Sequence, residues 1–81
     1  MSMYDDMPLD EIIKFYAATY NEPSLDVARA QLHAALCKKL GIPIDAFKPF
    51  NDKSLPGFLT DQQAERHLRI AITTLEKGTK P

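Results

Sequence analysis

The sequence lacks most of the residues on which specialised chemistry or targeting depends. It has one cysteine in 81 residues, so no disulfide can form within the chain and no cysteine-based zinc site can be built. Its three glycines, Gly41, Gly57 and Gly78, stand far apart, which excludes a glycine-rich phosphate loop. No stretch approaches the roughly 18 consecutive apolar residues of a membrane-spanning helix. Met1 to Pro8 carries Asp5 and Asp6 where a secretory leader would be basic and then apolar. Excess charge is missing too. Ten Lys and Arg face eleven Asp and Glu, a net charge of −1, which argues against a dedicated polyanion binder. These absences together point to a cytoplasmic protein of a reducing compartment, with no membrane partner.

What is present is a folding composition. Hydrophobic residues make up 44% and charged residues 26%, too apolar for a disordered chain. A chain of this length has room for one hydrophobic core, and residues 1–81 read as a single helical domain with loose tails at 1–7 and 79–81.

Three segments carry a helical period. The first runs from about Pro8 to Tyr20. Proline suits a first helical position, and Asp10 and Glu11 lie near the positive end of the helix dipole. Leu9, Ile12, Ile13, Tyr16, Ala17 and Tyr20 form one apolar stripe. The second is expected to start at Ser24 as N-cap and to run to Leu40, with Gly41 closing it. Leu25, Ala28, Leu32, Ala35, Leu36 and Leu40 make its main stripe. Val27, Ala30, Ala34 and Cys37 make a second row of mostly small residues on another side. A helix apolar on two sides is expected in the middle of its domain, or against another chain. The third segment begins with Thr60-Asp61-Gln62-Gln63, a capping box, and ends near Lys77 with Gly78 as its stop. Ala64, Leu68, Ala71, Ile72 and Leu75 form its stripe.

The connection from Gly41 to Thr60 is not a polar linker. It holds three of the four phenylalanines, Phe47, Phe50 and Phe58, together with Ile42, Ile44, Leu55 and Leu59. That much apolar area, at about 25 cal/mol per Å², should fold back over the seam between the second and third helices. Pro43 is placed to start a short helical turn over 43–48, and Leu55-Pro56-Gly57-Phe58 reads as a tight turn. Of the three phenylalanines, Phe50 is expected to be the most exposed, since it borders the polar run from Asn51. The fold class is therefore all-α: a small three-helix bundle, four with the 43–48 turn, carrying an ordered aromatic-rich connection.

Candidate chemistry is sparse. His33 and Cys37 are i, i+4 neighbours, but Cys37 belongs to the small-residue row and reads as a packing residue. A catalytic cysteine needs an exposed, electropositive setting, which this helix does not offer. His33 and His67 are 34 positions apart and no metal-ligand spacing is present. No enzyme activity, cofactor or metal is expected.

Two partner classes remain. The first is another protein chain, self or heterologous, possible contacts being Phe15, Phe50, Ile70, Ala30 and Ala34. Phe15 and Ile70 lie off the core stripes of their helices, and exposed apolar patches on small domains mark contacts. The second class, kept as an alternative, is nucleic acid. The short link Asn21 to Ser24 is compatible with a helix-turn-helix. Residues 1–34 hold two basic residues against six acids, whereas residues 35–81 hold eight against five. Arg66, Arg69 and Lys77 on the third helix are the candidate phosphate contacts. The N-terminal half of the second helix offers only Arg29, Gln31 and His33 to bases, which is thin for direct readout. Convergence of Arg66, Arg69, Lys77, Lys38 and Lys39 on one acid-free face would favour this alternative, and interruption by acids would weaken it.

Overall fold

A computed structural model describes residues 4–51 and 53–79. Helix α1 spans Leu9–Ala18, α2 spans Asp26–Leu40 and α3 spans Asp61–Thr79. Short 3₁₀ turns occupy Thr19–Asn21, Pro23–Leu25 and Ile44–Ala46. No strand occurs among the described residues, and the protein is a small all-α bundle.

Local chemistry accounts for most boundaries. Thr60 and Gln63 form the capping box at α3: the Gln63 N–H donates to Thr60 Oγ1 at 3.1 Å, and the Thr60 N–H donates to Gln63 Oε1 at 2.9 Å. Gly41 ends α2 at φ 71°, where side chains are strained and glycine is not. The Ile42 N–H then donates to the Cys37 carbonyl and the Gly41 N–H to the Lys38 carbonyl, the paired bonds of a Schellman cap.

Several boundaries differ from expectation. Pro8 precedes α1 as its cap residue, and the last turn of the expected helix tightens into the Thr19–Asn21 3₁₀ turn. Ser24 does not cap α2: Pro23 draws it into a 3₁₀ turn of its own, and α2 starts after Leu25 with no side-chain cap. Residues 55–58 bend at Leu55 and Gly57 without forming the tight turn. Gly78 does not stop α3, which continues to Thr79. At the N-terminus the tail expected over 1–7 is ordered from Tyr4. The Met7 N–H donates to the Tyr4 carbonyl at 3.1 Å, and both side chains pack against the core. Residues 1–3 and 80–81, also read as loose tails, lie outside the described residues.

The middle helix is α1, not α2. Helix α1 packs on both α2 and α3, which scarcely approach each other. Ile12, Ile13, Tyr16 and Ala17 are therefore buried from both sides, with Leu32, Ala35 and Leu36 on α2 and Ala64, Leu68 and Ile72 on α3 completing the core. The second row of α2 is only partly covered. Val27 is 73% exposed and Ala30 is exposed, Ala34 is half-buried, and Cys37 is buried. The Ile44–Ala46 turn of the connection lies against α2.

The connection fills the gap that α2 and α3 leave. Phe47 is 3% exposed and Leu59 is buried. Phe50 is half-buried, edge-on to Tyr16 at 5.3 Å and to Tyr20 at 4.9 Å, and stacked on His67 at 6.1 Å. Phe58, at 67% exposed, is the phenylalanine left in water. The expected order of exposure is thus corrected: the aromatic ring of Phe50 has three ring neighbours, and Phe58 has none among the described residues. The radius of gyration is 12.2 Å, close to the roughly 11.7 Å expected for a compact chain of this length.

Candidate functional site

An almost wholly apolar groove of about 420 Å³ lies between α1 and α2, lined by Tyr4, Met7, Phe15, Ala18, Thr19, Leu25, Ala28 and Leu32. Its construction is local. On α1 the core side chains Ile12, Ile13, Tyr16 and Ala17 take one side, and the helical period then turns Phe15 and Ala18 away from them. Phe15 is 53% exposed. On the other wall, the Pro23–Leu25 turn delays α2 and leaves Leu25 out of the core and largely exposed. Thr19 and Leu32 are buried and form the floor.

Arg29 fixes the angle between the walls. Its Nε donates to Thr19 Oγ1 at 3.2 Å, and its Nη2 donates to the carbonyls of Thr19 and Tyr20. Thr19 Oγ1 in turn donates to the Tyr16 carbonyl at 2.6 Å. Carbonyls of the 3₁₀ turn that follows α1 are thereby satisfied by a cation from α2, which also suits the negative end of the helix dipole.

A second depression of about 460 Å³ lies between α1, α2 and the connection, with Tyr16, Arg29, Ala30, His33, Phe47 and Phe50 among its walls. His33 is its chemical centre. Its Nε2 lies 2.9 Å from the Ile44 carbonyl, which accepts only, so Nε2 carries the proton. Its Nδ1 then accepts from the Tyr16 hydroxyl at 2.8 Å. Cys37 Sγ is 3.6 Å from that same Nε2, so the sulfur faces a nitrogen with no lone pair to take a proton. Burial also pushes the Cys37 thiol above its ordinary range. Burial, followed by the neighbouring Cys37, pushes the Tyr16 hydroxyl up to about 12, with Arg29 acting the other way. The Tyr16, Arg29 and His33 side chains here are all engaged in hydrogen bonds that hold the fold.

The third surface is the outer face of α3, where Arg66, Arg69, Ile70 and Lys77 lie together. Glu65 shares that face. Arg69 is held by Glu65 at 3.0 Å and by Asp10 of α1, and Lys38 of α2 is held by Asp5 at 3.6 Å. The Arg69 hydrogen bond and its charge lower the Asp10 carboxyl from its ordinary value. Acids therefore interrupt the basic row. Arg29 and His33, two of the three side chains available to read bases, are committed inside the fold. Among the described residues, no group of three or more His, Cys, Asp or Glu side chains is arranged to hold a metal ion. No helix there is long and apolar enough to cross a membrane.

The sequence-expected contact residues are not brought together. Phe15 lies in the apolar groove, Ala30 and Phe50 in the second depression, and Ile70, 58% exposed, on α3. Tyr4, Met7, Leu25 and Ala28 complete the groove and were not among the expected contacts. One signal for Met7 was present: it precedes the cap residue Pro8 and stands five positions before Ile12, the spacing of a hydrophobic staple. Leu25 carried no such signal, because its stripe reads as core. In comparisons with known proteins, no family model, no curated protein and no solved structure matches this chain.

Proposed function

We propose that this protein is a non-enzymatic interaction domain that receives an apolar segment of another protein chain in the groove between α1 and α2. The observation that carries this reading is the groove itself, open to solvent beside Phe15 and walled by apolar side chains of the Tyr4–Met7 turn, α1 and α2. Exposed apolar grooves of this kind on small domains mark binding sites. The nucleic-acid alternative draws less support, since acids hold Arg69 and Lys38 and interrupt the α3 face. A cytoplasmic setting suits the free cysteine of a chain without disulfides.

The test is a pull-down from the native source with the parent protein, Phe15→Ser and Ile70→Ser. A protein recovered by the parent and by Ile70→Ser, but not by Phe15→Ser, is the expected result. Equal recovery by all three, with a circular dichroism spectrum showing Phe15→Ser folded, would move the contact away from the groove.

A further inference from the structure

Resting on that reading of the groove, we infer that its occupant is a basic amphipathic helix from a different protein, and not a second copy of this chain. Next to lining residues of the groove in sequence stand three exposed acids, while on the α2 side Lys38 reaches the Tyr4–Met7 turn at Asp5. Asp6 lies in the turn between Tyr4 and Met7, Glu11 stands one turn before Phe15 on the same stripe of α1, and Glu22 stands one turn before Leu25. All three are exposed, and no described residue makes an ion pair with any of them. The two cations of residues 1–34 do not offset them. Arg29 is engaged with the carbonyls of Thr19 and Tyr20, and Lys14 lies 4.0 Å from Asp10.

Charge argues against a symmetric pair formed through this groove. Residues 1–34 hold six acids and two bases, and a two-fold contact would set this half against its own copy. The chain's basic face, on α3, does not supply the occupant either. It offers one large exposed apolar side chain, Ile70, among Gln62, Arg66, Thr73 and Lys77, whereas a groove of about 420 Å³ calls for several anchors. The channel between two packed helices matches the ridge of a third, with apolar anchors at i, i+3, i+4 and i+7. Lys and Arg beside those anchors would meet Asp6, Glu11 and Glu22.

The experiment uses the whole chain and three designed helical peptides of about four turns, with one common leucine seam. Their flanking positions are lysine, glutamine or glutamate. Binding is read by fluorescence anisotropy and by amide shifts at Phe15 and Leu25. The expected result is that the lysine peptide binds roughly tenfold more tightly than the glutamine peptide and that added salt erodes the difference, as rim charges imply. In the variant Asp6→Asn/Glu11→Gln/Glu22→Gln that advantage should vanish while the glutamine peptide still binds. Equal binding of the lysine and glutamine peptides to the parent overturns the charge inference and leaves the groove reading intact. Shifts confined to other surfaces, or no binding of any peptide, overturn both. A dimer in sedimentation of the chain alone, lost in Phe15→Ser, makes a second copy the occupant and overturns this inference only.

Discussion

Helix α1 has one flank under cover and one in the open. On the side bearing Tyr16 and Tyr20, residues 41–60 lie across the seam between α2 and α3, with Phe47, Phe50 and Leu59 turned inward. On the side bearing Phe15 and Ala18, the Tyr4–Met7 turn and the first half of α2 approach, and a groove remains between them. Both flanks are apolar, so hydrophobicity alone does not separate them. Tethers do. The covering segment is pinned by His33 at Ile44, by His67 Nε2 donating to the Pro49 carbonyl at 2.7 Å, by the Tyr20 hydroxyl on the Pro56 carbonyl, and by Asn21 on both backbone groups of Leu59. The Tyr4–Met7 segment carries a backbone turn and the Asp5–Lys38 pair, with Lys38 itself exposed. On the covered flank, hydrogen bonds direct which apolar side chains become core.

The largest way to break this contrast is to empty the covered side. Phe47→Ala should cost about 3–5 kcal/mol in a denaturant melt, a large share of what a domain this small possesses. Phe58→Ala, removing an exposed ring, should melt like the parent. A reversed order would show that the connection is not seated as described.

Next in size is the double clamp of Asn21. Its Nδ2 donates to the Leu59 carbonyl, and its Oδ1 accepts from the Leu59 N–H at 3.2 Å. Asn21→Ala leaves both groups without that partner and should cost roughly 1–3 kcal/mol. Hydrogen exchange should quicken at Leu59 and not at Phe15.

The Tyr16 hydroxyl gives the covered side an alkaline signature. Its value is raised to about 12 in the folded protein, from 10.0 in an ordinary setting. The folded state therefore holds the proton more tightly than the unfolded chain, and this contribution is complete below pH 10 and is lost as pH climbs from there towards 12. The slope is at most about 1.4 kcal/mol per pH unit. Tyr16→Phe should remove the slope, so the difference between its stability profile and the parent's, measured across this window, isolates the effect.

Smaller effects belong to the open side. Phe15→Ser should change stability by no more than about 0.5 kcal/mol, while abolishing peptide-induced shifts in the groove. Smallest of all is Arg69→Ala, which removes exposed pairs with Asp10 and Glu65 and should leave the melting temperature unchanged in low and high salt.

Much of the local structure was legible. The capping box at Thr60, the glycine cap at Gly41, the turn after Pro43 and the core stripes of α1 and α3 follow from neighbours within one or two turns. The Glu65–Arg69 pair follows from the same spacing. The candidate site was legible only at Phe15. Leu25 repeats the period of buried Leu32 and Leu36, and only the Pro23 turn removes it from their environment. The order of Phe50 and Phe58 was misjudged because it depends on Tyr16, Tyr20 and His67, none of them close in sequence.

The sequence by itself determined that this chain is helical, where α1, α2 and α3 lie to within a few residues, and that its connection is apolar enough to be buried. These depend on periodicity, caps and composition, which act over short spans of chain. Only the tertiary structure decided that α1 is the middle helix, although α2 bears apolar rows on two sides. Small side chains such as Ala30 and Ala34 gain little from burial, so they yield when larger groups compete for the same contact. The connection won that competition because Asn21, Tyr20, His33 and His67 reach it across 11 to 38 positions of sequence. No local pattern encodes such bonds, and they leave apolar surface uncovered at the Phe15 groove.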